Sequence, residues 1–336
     1  MGVLRVLRER ETPAPWGLAV DEHLSRALSE GRIPPSLHLY SFQPSVILGY
    51  FQDAYAEANL EVCERLGVAV NRRATGGGAI LMTPDQLGIA LAVPCEPSPA
   101  AAWQLFVRFA EALATGLREA GIEAHFRPKN DLEVEGRKVA GLASSSHDEG
   151  VFLFHASVLV DLDLDLMLQV LNIPLAKLEG RQLESASQRV TTLREVVGDA
   201  LTVDEVADLI VPALAQGLDL APIETSFGDW EREAIQGLVD SRYGTQEWVF
   251  EQRHPKKALG QSESKLPGGL VRVYASKSGG ILDQVVFTGD FLLTEEQVNR
   301  LEASLKGLRA DVVEITARIE LALDGYVGPE LPAREL

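Results

Sequence analysis

An arginine pair and a triple glycine meet in NRRATGGGAILMT, residues 71–83. Glycine has no Cβ, so its backbone N–H groups can close on an anionic oxygen, and arginine offers that oxygen a planar fork of donors. Arg72 and Arg73 follow Val68 and Val70, which mark a strand with an inward apolar face. One of the two guanidinium groups should therefore leave the sheet toward whatever lies over Gly76, Gly77 and Gly78. Compensation of phosphate charge is the chemistry this suggests. The spacing is not a P-loop, since no Gly-Lys-Ser/Thr follows, and it is not GxGxxG. Taken alone, three glycines are equally well a tight turn with positive φ.

A second basic focus is RPKNDLEVEGRKVAGLASS, residues 127–145. Lys138 stands among Val134, Val139 and Leu142, where charge is normally confined to turns. It could be a strand-edge lysine that discourages aggregation, or a fixed cation facing a site. Asn130 and Asp131 form either an Asx-type turn or a polar pair for substrate or a hard cation. His155, in VFLFHASVLV, could be a satisfied core histidine. Cys63 and Cys95 lack metal-ligand spacing and are too few for a disulfide framework, which points to a reducing compartment.

The elements that must position these groups follow from periodicity. Trp16, Ala19, Val20, Leu24, Ala27 and Leu28 recur at helical spacing and predict a helix over about 15–30. LHLYSF (37–42) and SVILGY (45–50) read as two strands around Gln43-Pro44. AYAEANLEVCERLGV is a helix, VAVNRR a third strand, and residues 100–121 a long helix. From 123 to 163 no helical period appears, and the segment reads as a meander. Helices resume at 163–172, 202–217 (opened by the capping box Thr202 to Glu205) and about 228–241. RHPKKALGQSESKLPGG (253–269) is polar and marks a boundary. Beyond it a hairpin around Ser278-Gly279-Gly280 and a helix capped at Thr294 form a small α+β unit.

The expected fold is α/β with a mixed sheet, residues 1–252 forming a catalytic domain and 253–336 a smaller α+β domain. At 46% hydrophobic and 24% charged residues, disorder and coiled coil are excluded. No apolar run reaches the roughly 20 residues of a membrane span, and the charged N-terminus is unlike a signal peptide, so a cytoplasmic protein without membrane contact is expected. A net charge of −18, from 49 acidic and 31 basic residues, argues against nucleic acid as partner. An anionic ligand must bind at a local basic focus.

The order PSVILGYFQDAYAEANLEVC, GVAVNRRATGGGAI, KNDLEVEGRKVAGLASS and LFHASVLVDLDLDLMLQVL resembles the lipoate–protein ligases of the biotin- and lipoate-attachment superfamily. WGLAVDEHL fits their first helix, SRYGTQEWVFEQRHP their closing segment, and GGILDQVVFTGDF their C-terminal accessory domain. The resemblance implies activation of lipoate with ATP and Mg²⁺. The acyl group of the acyl-adenylate then passes to a lysine of a lipoyl carrier domain, such as a 2-oxoacid dehydrogenase E2 or a glycine-cleavage H protein. It places Arg73, Gly78, Ala79, Ile80 and Leu81 along the nucleotide, with Arg72, Gly76 and Gly77 shaping the loop. Lys138 becomes the central lysine between acyl carbonyl and phosphate, Asn130 and His155 join the adenylate site, and Asp131 is the candidate Mg²⁺ ligand. A docking patch of Lys129, Arg137 and Lys177 would receive the carrier.

Two departures bear on this resemblance. The family commonly continues GGGA with an aromatic residue and His-Asp, where this chain has Ile80-Leu81-Met82-Thr83, and His155 is followed by Ala156-Ser157 rather than Gly-Thr. Two other readings stand beside the ligase. One is an ATP-independent octanoyl or lipoyl transferase of the superfamily, which would carry the acyl group on a cysteine. No cysteine follows Cys95 in this chain. The other is a non-catalytic carrier-binding protein on the same fold.

Overall fold

The computed structural model describes residues 2–127, 130–147, 150–172, 187–198, 200–251, 253–254, 260–266, 269–291, 293, 295–323 and 333. Its main sheet has eight strands. In chain order they are β1 (Gly2–Thr12), β2 (Ser36–Phe42), β6 (Gln86–Pro94), β7 (His125–Arg127), β8 (Asp131–Val134), β9 (Arg137–His147), β10 (Val151–Leu159) and β11 (Leu220–Glu224). They lie side by side as β11-β1-β2-β6-β10-β9-β8-β7. The β11–β1 and β1–β2 pairs are parallel and the rest antiparallel, so the sheet is mixed as expected.

Alternation along the strands builds two cores. Phe152 and Phe154 of β10 face the helices Pro99–Glu119 and Val203–Leu218, while Val151 and Leu153 face the helix Ala14–Ser29. In the long helix Phe109, Leu113 and Leu117 are fully buried, each worth about 1.5–3 kcal/mol of transfer free energy. Ser98 caps its N-terminus and Thr202 with Glu205 forms the expected capping box.

A second sheet orders β4 (Ala69–Arg72), β3 (Ser45–Leu48) and β5 (Ile80–Met82), and a third is an antiparallel run of β12 (Gly260–Leu266), β13 (Gly269–Ser278) and β14 (Ile281–Gly289). Helices Glu295–Leu305 and Val312–Ala322 accompany the third sheet. Its apolar residues Phe287, Phe291, Val298 and Leu301 join the same core as Tyr50 and Phe51. The smaller unit thus shares a core with the larger one.

Several elements carry detail that the sequence reading lacked. The N-terminal segment is not merely charged: Leu4, Val6 and Leu7 are buried in β1, and Arg5 is neutralised by Glu231 at 2.6 Å. The runs 37–42 and 45–50 both form strands as expected, and they enter different sheets, since β3 joins β4 and β5. Residues 260–266, inside the expected boundary, form an edge strand whose exposed polar residues suit an unpaired rim. The helix at 228–241 closes at Leu238 and continues as a π-helical turn, Val239–Tyr243. The Thr294 cap lies outside the described residues. Among the described residues no helix is long and apolar enough to cross a membrane.

Candidate functional site

Both arginines of the 71–83 motif are buried, with opposite consequences. Arg72 ends β4, fully buried, and does not line the cavity described below. Its guanidinium donates to five carbonyls, of Gly49, Tyr50, Gln52, Trp248 and Val249, at 2.5–3.0 Å. Where the resemblance has it shaping the loop, its donors tie residues 49–52 to 248–249, and Gly49 packs in turn on Gly77. Arg73 bends back over the glycines, donating to the carbonyls of Gly76 (2.6 Å) and Gly78 (3.0 Å) and to Thr75 Oγ1 (3.2 Å). Burial lowers both guanidinium pKa values to about 10, and both remain cations at neutral pH. Among the described residues no carboxylate lies within salt-bridge distance of Arg73. A buried cation satisfied only by carbonyls and a hydroxyl retains attraction for an anion.

The glycine loop is held by close backbone contact. A Cβ on Gly49 would sit 1.9 Å from the Gly77 carbonyl oxygen, so only glycine fits there. Gly77 itself has φ of 92° and donates its N–H to the carbonyl of Phe291 at 3.1 Å. The smaller unit therefore touches the loop, and Asp290 stands over Gly78.

Lys138 sits where β8–β9 pairing slips: Leu132 faces Ala140 but Glu133 faces Lys138. Such a bulge re-aims a side chain. Lys138 Nζ reaches Asp131 Oδ1 at 2.6 Å. It also passes over Gly141, where a Cβ would lie 3.1 Å from Nζ. On the other edge the Lys138 backbone exchanges hydrogen bonds with Arg189 and Thr191, so that backbone is held between two segments.

These groups line one cavity of about 430 Å³. Arg73, Gly77, Gly78, Ala79, Ile80, Asn130, Asp131, Lys138 and His155 all contribute to its wall, whereas Arg72, Gly76 and Leu81 do not. Leu81 is instead buried in the core beneath β3. The cavity combines an apolar set, Leu18, Tyr40, Phe42, Ile47, Ile80 and Met82, with a charged set in which Arg73, Arg127, Lys138 and Lys265 face Asp21, Asp131 and Asp290. It is thus a local basic focus on an acidic chain, shaped for a ligand with an apolar tail and an anionic head.

His155 belongs to a buried polar line that the sequence reading missed. Its Nε2 is 3.0 Å from Asp21 Oδ2, and its Nδ1 is 3.4 Å from Thr75 Oγ1. Asp21 also meets His38, which reaches Glu9. Burial opposes charge on both Asp21 and His38, yet their contacts prevail: histidine neighbours hold the Asp21 carboxyl below its usual range, and Asp21 and Glu9 hold the His38 ring above its own. The available signal was a carboxylate at position 21 on the apolar stripe of the first helix, and a histidine inside the apolar strand LHLYSF. Lys265, Gly269 and Asp290, from the smaller unit, also line the cavity without having been singled out.

Neither cysteine lines the cavity. Cys63 is buried in the core of the second sheet, Cys95 sits at the end of β6, and burial raises both thiols. Among the described residues no group of three or more His, Cys, Asp or Glu side chains could hold a metal. In the expected docking patch Arg137 is paired with Glu195 at 3.1 Å, and Lys129 and Lys177 lie outside the described residues.

Residues 13–215 match the family described as the lipoyl protein ligase A/B catalytic domain, and residues 260–336 match the bacterial lipoate protein ligase C-terminus. The octanoyltransferase LipM of Brevibacillus brevis is 30% identical over 268 residues, covering 72% of this chain and 96% of that protein. Lipoate-protein ligase LplJ of Bacillus subtilis is 26% identical over 304 residues, covering 88% and 89%. Among solved structures, a bi-partite lipoate protein ligase from Thermoplasma acidophilum, described with its E2 lipoyl domain, has a TM-score of 0.66 at 28% identity. That likeness covers 76% of this chain and 98% of that one.

Proposed function

The chain belongs to the lipoyl protein ligase A/B family, and from that premise we propose that it is an ATP-dependent lipoate–protein ligase. It converts lipoate or octanoate to the acyl-adenylate and passes the acyl group to a lysine ε-amine of a lipoyl carrier domain. The E2 lipoyl domain described with the similar archaeal ligase supports a carrier of that kind. An E2 domain or an H protein in the cytoplasm is the partner in this reading. Residues 1–252 carry the chemistry, and 253–336 form an accessory unit that lends Lys265 and Asp290 to the cavity.

One observation carries the reading: the cavity that holds Arg73 and Lys138 has no thiol in its wall. Acyl transfer without ATP needs a nucleophile to hold the acyl group, and a thiolate is the side chain suited to it. With the chain's two cysteines elsewhere, activation by adenylation takes that place. In the first step a carboxylate oxygen attacks the α-phosphorus; an O–P bond forms and the bond to pyrophosphate breaks. Arg73 offsets phosphate charge, and Lys138 steadies charge on the acyl oxygen and the phosphate. In the second step the carrier amine attacks the acyl carbon, AMP leaves and the amine loses a proton.

Magnesium would enter with the nucleotide. Asp131 fits a modest role toward it, since it lines the cavity and its buried Oδ1, at ion-pair distance from Lys138, has no hydrogen-bond partner among the described residues. Magnesium on nucleotide phosphates commonly needs only one or two protein carboxylates.

The identity with LipM, which spans nearly all of that protein, favours a second reading as an ATP-independent octanoyltransferase. Intact-mass measurement of carrier domains incubated with the protein, Mg²⁺ and lipoate or octanoate separates the two. A mass gain that requires ATP, with pyrophosphate released, supports the ligase. Transfer from an octanoylated carrier without ATP supports the transferase.

A further inference from the structure

Thr75 lies within the Arg-Arg-Ala-Thr-Gly-Gly-Gly run, yet it is 2% exposed and does not line the cavity. Its hydroxyl stands between two groups that do. It accepts from Arg73 Nε at 3.2 Å and meets His155 Nδ1 at 3.4 Å. Beyond His155 the line continues through Asp21 Oδ2 at 3.0 Å, from Asp21 Oδ1 to His38 Nδ1 at 3.4 Å, and from His38 Nε2 to Glu9 Oε2 at 3.2 Å. Trp16 Nε1 donates to both Glu9 oxygens at 3.0 and 3.1 Å. Side chains from β1, the first helix, β2, β10 and the glycine loop thus connect through hydrogen bonds and one ion-pair contact, His155 to Asp21.

The direction of the hydrogen bonds follows from what each group can do. Arginine only donates, so the Thr75 oxygen accepts from Arg73 and its own hydrogen is free for His155 Nδ1. That leaves the His155 proton on Nε2, facing the Asp21 carboxylate. The Nε2–Oδ2 approach has ion-pair distance without hydrogen-bond alignment, so charge is what relates these two groups. His38, fully buried, has a carboxylate oxygen within 3.4 Å of each ring nitrogen, so whichever nitrogen carries a proton donates to one. Negative charge at Asp21 is therefore linked through two side chains to a guanidinium that has no carboxylate of its own among the described residues. A direct ion pair would hold Arg73 as firmly but would cancel the charge an anionic ligand needs.

We propose that Asp21, His38 and Thr75 are positioning residues for adenylation: through His155 and the Thr75 hydroxyl they orient Arg73 toward the cavity while leaving its charge available. This assignment rests on the ligase reading. It differs from a packing role in requiring the Thr75 oxygen rather than the volume of the side chain, and in making Asp21 and Thr75 act as one unit.

The test uses the full chain and a non-reactive lipoyl sulfamoyl-adenosine, with affinity measured by calorimetry and folding by thermal melting. Thr75→Val should weaken binding by roughly tenfold to a hundredfold, as loss of a charge-linked hydrogen bond does. Thr75→Ser, which keeps the hydroxyl, should stay within about threefold of wild type, since additivity errors are of that order. Asp21→Asn should weaken binding comparably, and the double variant Asp21→Asn/Thr75→Val should be no weaker than about threefold beyond the poorer single variant. Wild-type affinity in Thr75→Val, or losses that multiply in the double variant, would overturn the proposal. If Asp21→Asn does not fold, the valine and serine variants decide alone. A wild-type chain that binds no adenylate analogue refutes the ligase reading itself, and the assignment falls with it.

Discussion

Lys138 Nζ and Asp131 Oδ1 stand 2.6 Å apart on adjoining strands, at the point where the pairing of β8 and β9 skips a residue. The carboxylate pins a cation whose own backbone is hydrogen-bonded to that of Arg189 and Thr191. Fixed charge of this kind works without rearranging as the reaction proceeds.

Lys138→Ala should therefore lower acyl-adenylate formation by roughly a hundredfold or more, the scale of removing one oxyanion donor. The fold should persist, because backbone groups rather than the ammonium join the neighbouring segments. Pyrophosphate exchange measures the first effect and circular dichroism the second. Unchanged turnover would reduce Lys138 to a strand-edge charge.

The two arginines should separate stability from binding. Arg72→Met leaves five carbonyls without their donors and should destabilise the chain by about 3 kcal/mol or more in urea unfolding. Arg73→Met removes a buried charge that has no carboxylate partner among the described residues, and leaves three carbonyls and the Thr75 hydroxyl without a donor. Its main effect should be a lost affinity for ATP or an adenylate analogue, with a smaller loss of stability than Arg72→Met. The reverse pattern would place the ligand against Arg72 and contradict the cavity geometry.

A chain with Cys63→Ala and Cys95→Ala should keep ATP-dependent carrier modification within about threefold of wild type, given that neither thiol lines the cavity and buried thiols behave as small hydrophobic groups. Activity collapsing in the Cys95→Ala variant alone would restore the thioester route.

His38 gives a pH signature. Its folded-state pKa is raised, so its stabilising contribution is complete below the unfolded value, near 6.5, and is lost as pH rises through the higher folded value. The stability difference between wild type and His38→Gln should accordingly shrink as pH rises above that value. Asp21 runs the other way: its lowered value means its contribution is present above about 3.8 and fades as pH falls through the folded value. Denaturant titrations across pH 5 to 9 test the histidine. A difference that grows toward alkaline pH would contradict the ion contacts of His38.

Local pattern made much of this architecture readable. The meander of β7 to β10, the long helix and the hairpin of β13 and β14 followed from periodicity and from glycines at bends. Partner choice was not readable in the same way. Which strand receives β3 depends on residues far along the chain, and β1 looked merely charged because its arginines are neutralised by acids some two hundred positions away. The same limit divided the site. Lys138, Asp131 and Arg73 lie in conspicuous motifs, whereas Asp21, His38 and Asp290 gain meaning only from what folding sets beside them.

The carbonyl rivet at Arg72 also orders events during synthesis. Two of its acceptors, Trp248 and Val249, leave the ribosome long after the arginine does, and Trp248 Nε1 donates back to the Arg72 carbonyl. Until they arrive, a charged side chain destined for complete burial must stay in water. The glycine loop it supports then stays unfinished while the main sheet gathers its antiparallel strands. Its last contact, from Gly77 to Phe291, comes later still. In chain order the last strand of the main sheet, β11, precedes every one of these later partners of the loop, so chains truncated before residue 248 should fold in part yet bind no adenylate analogue.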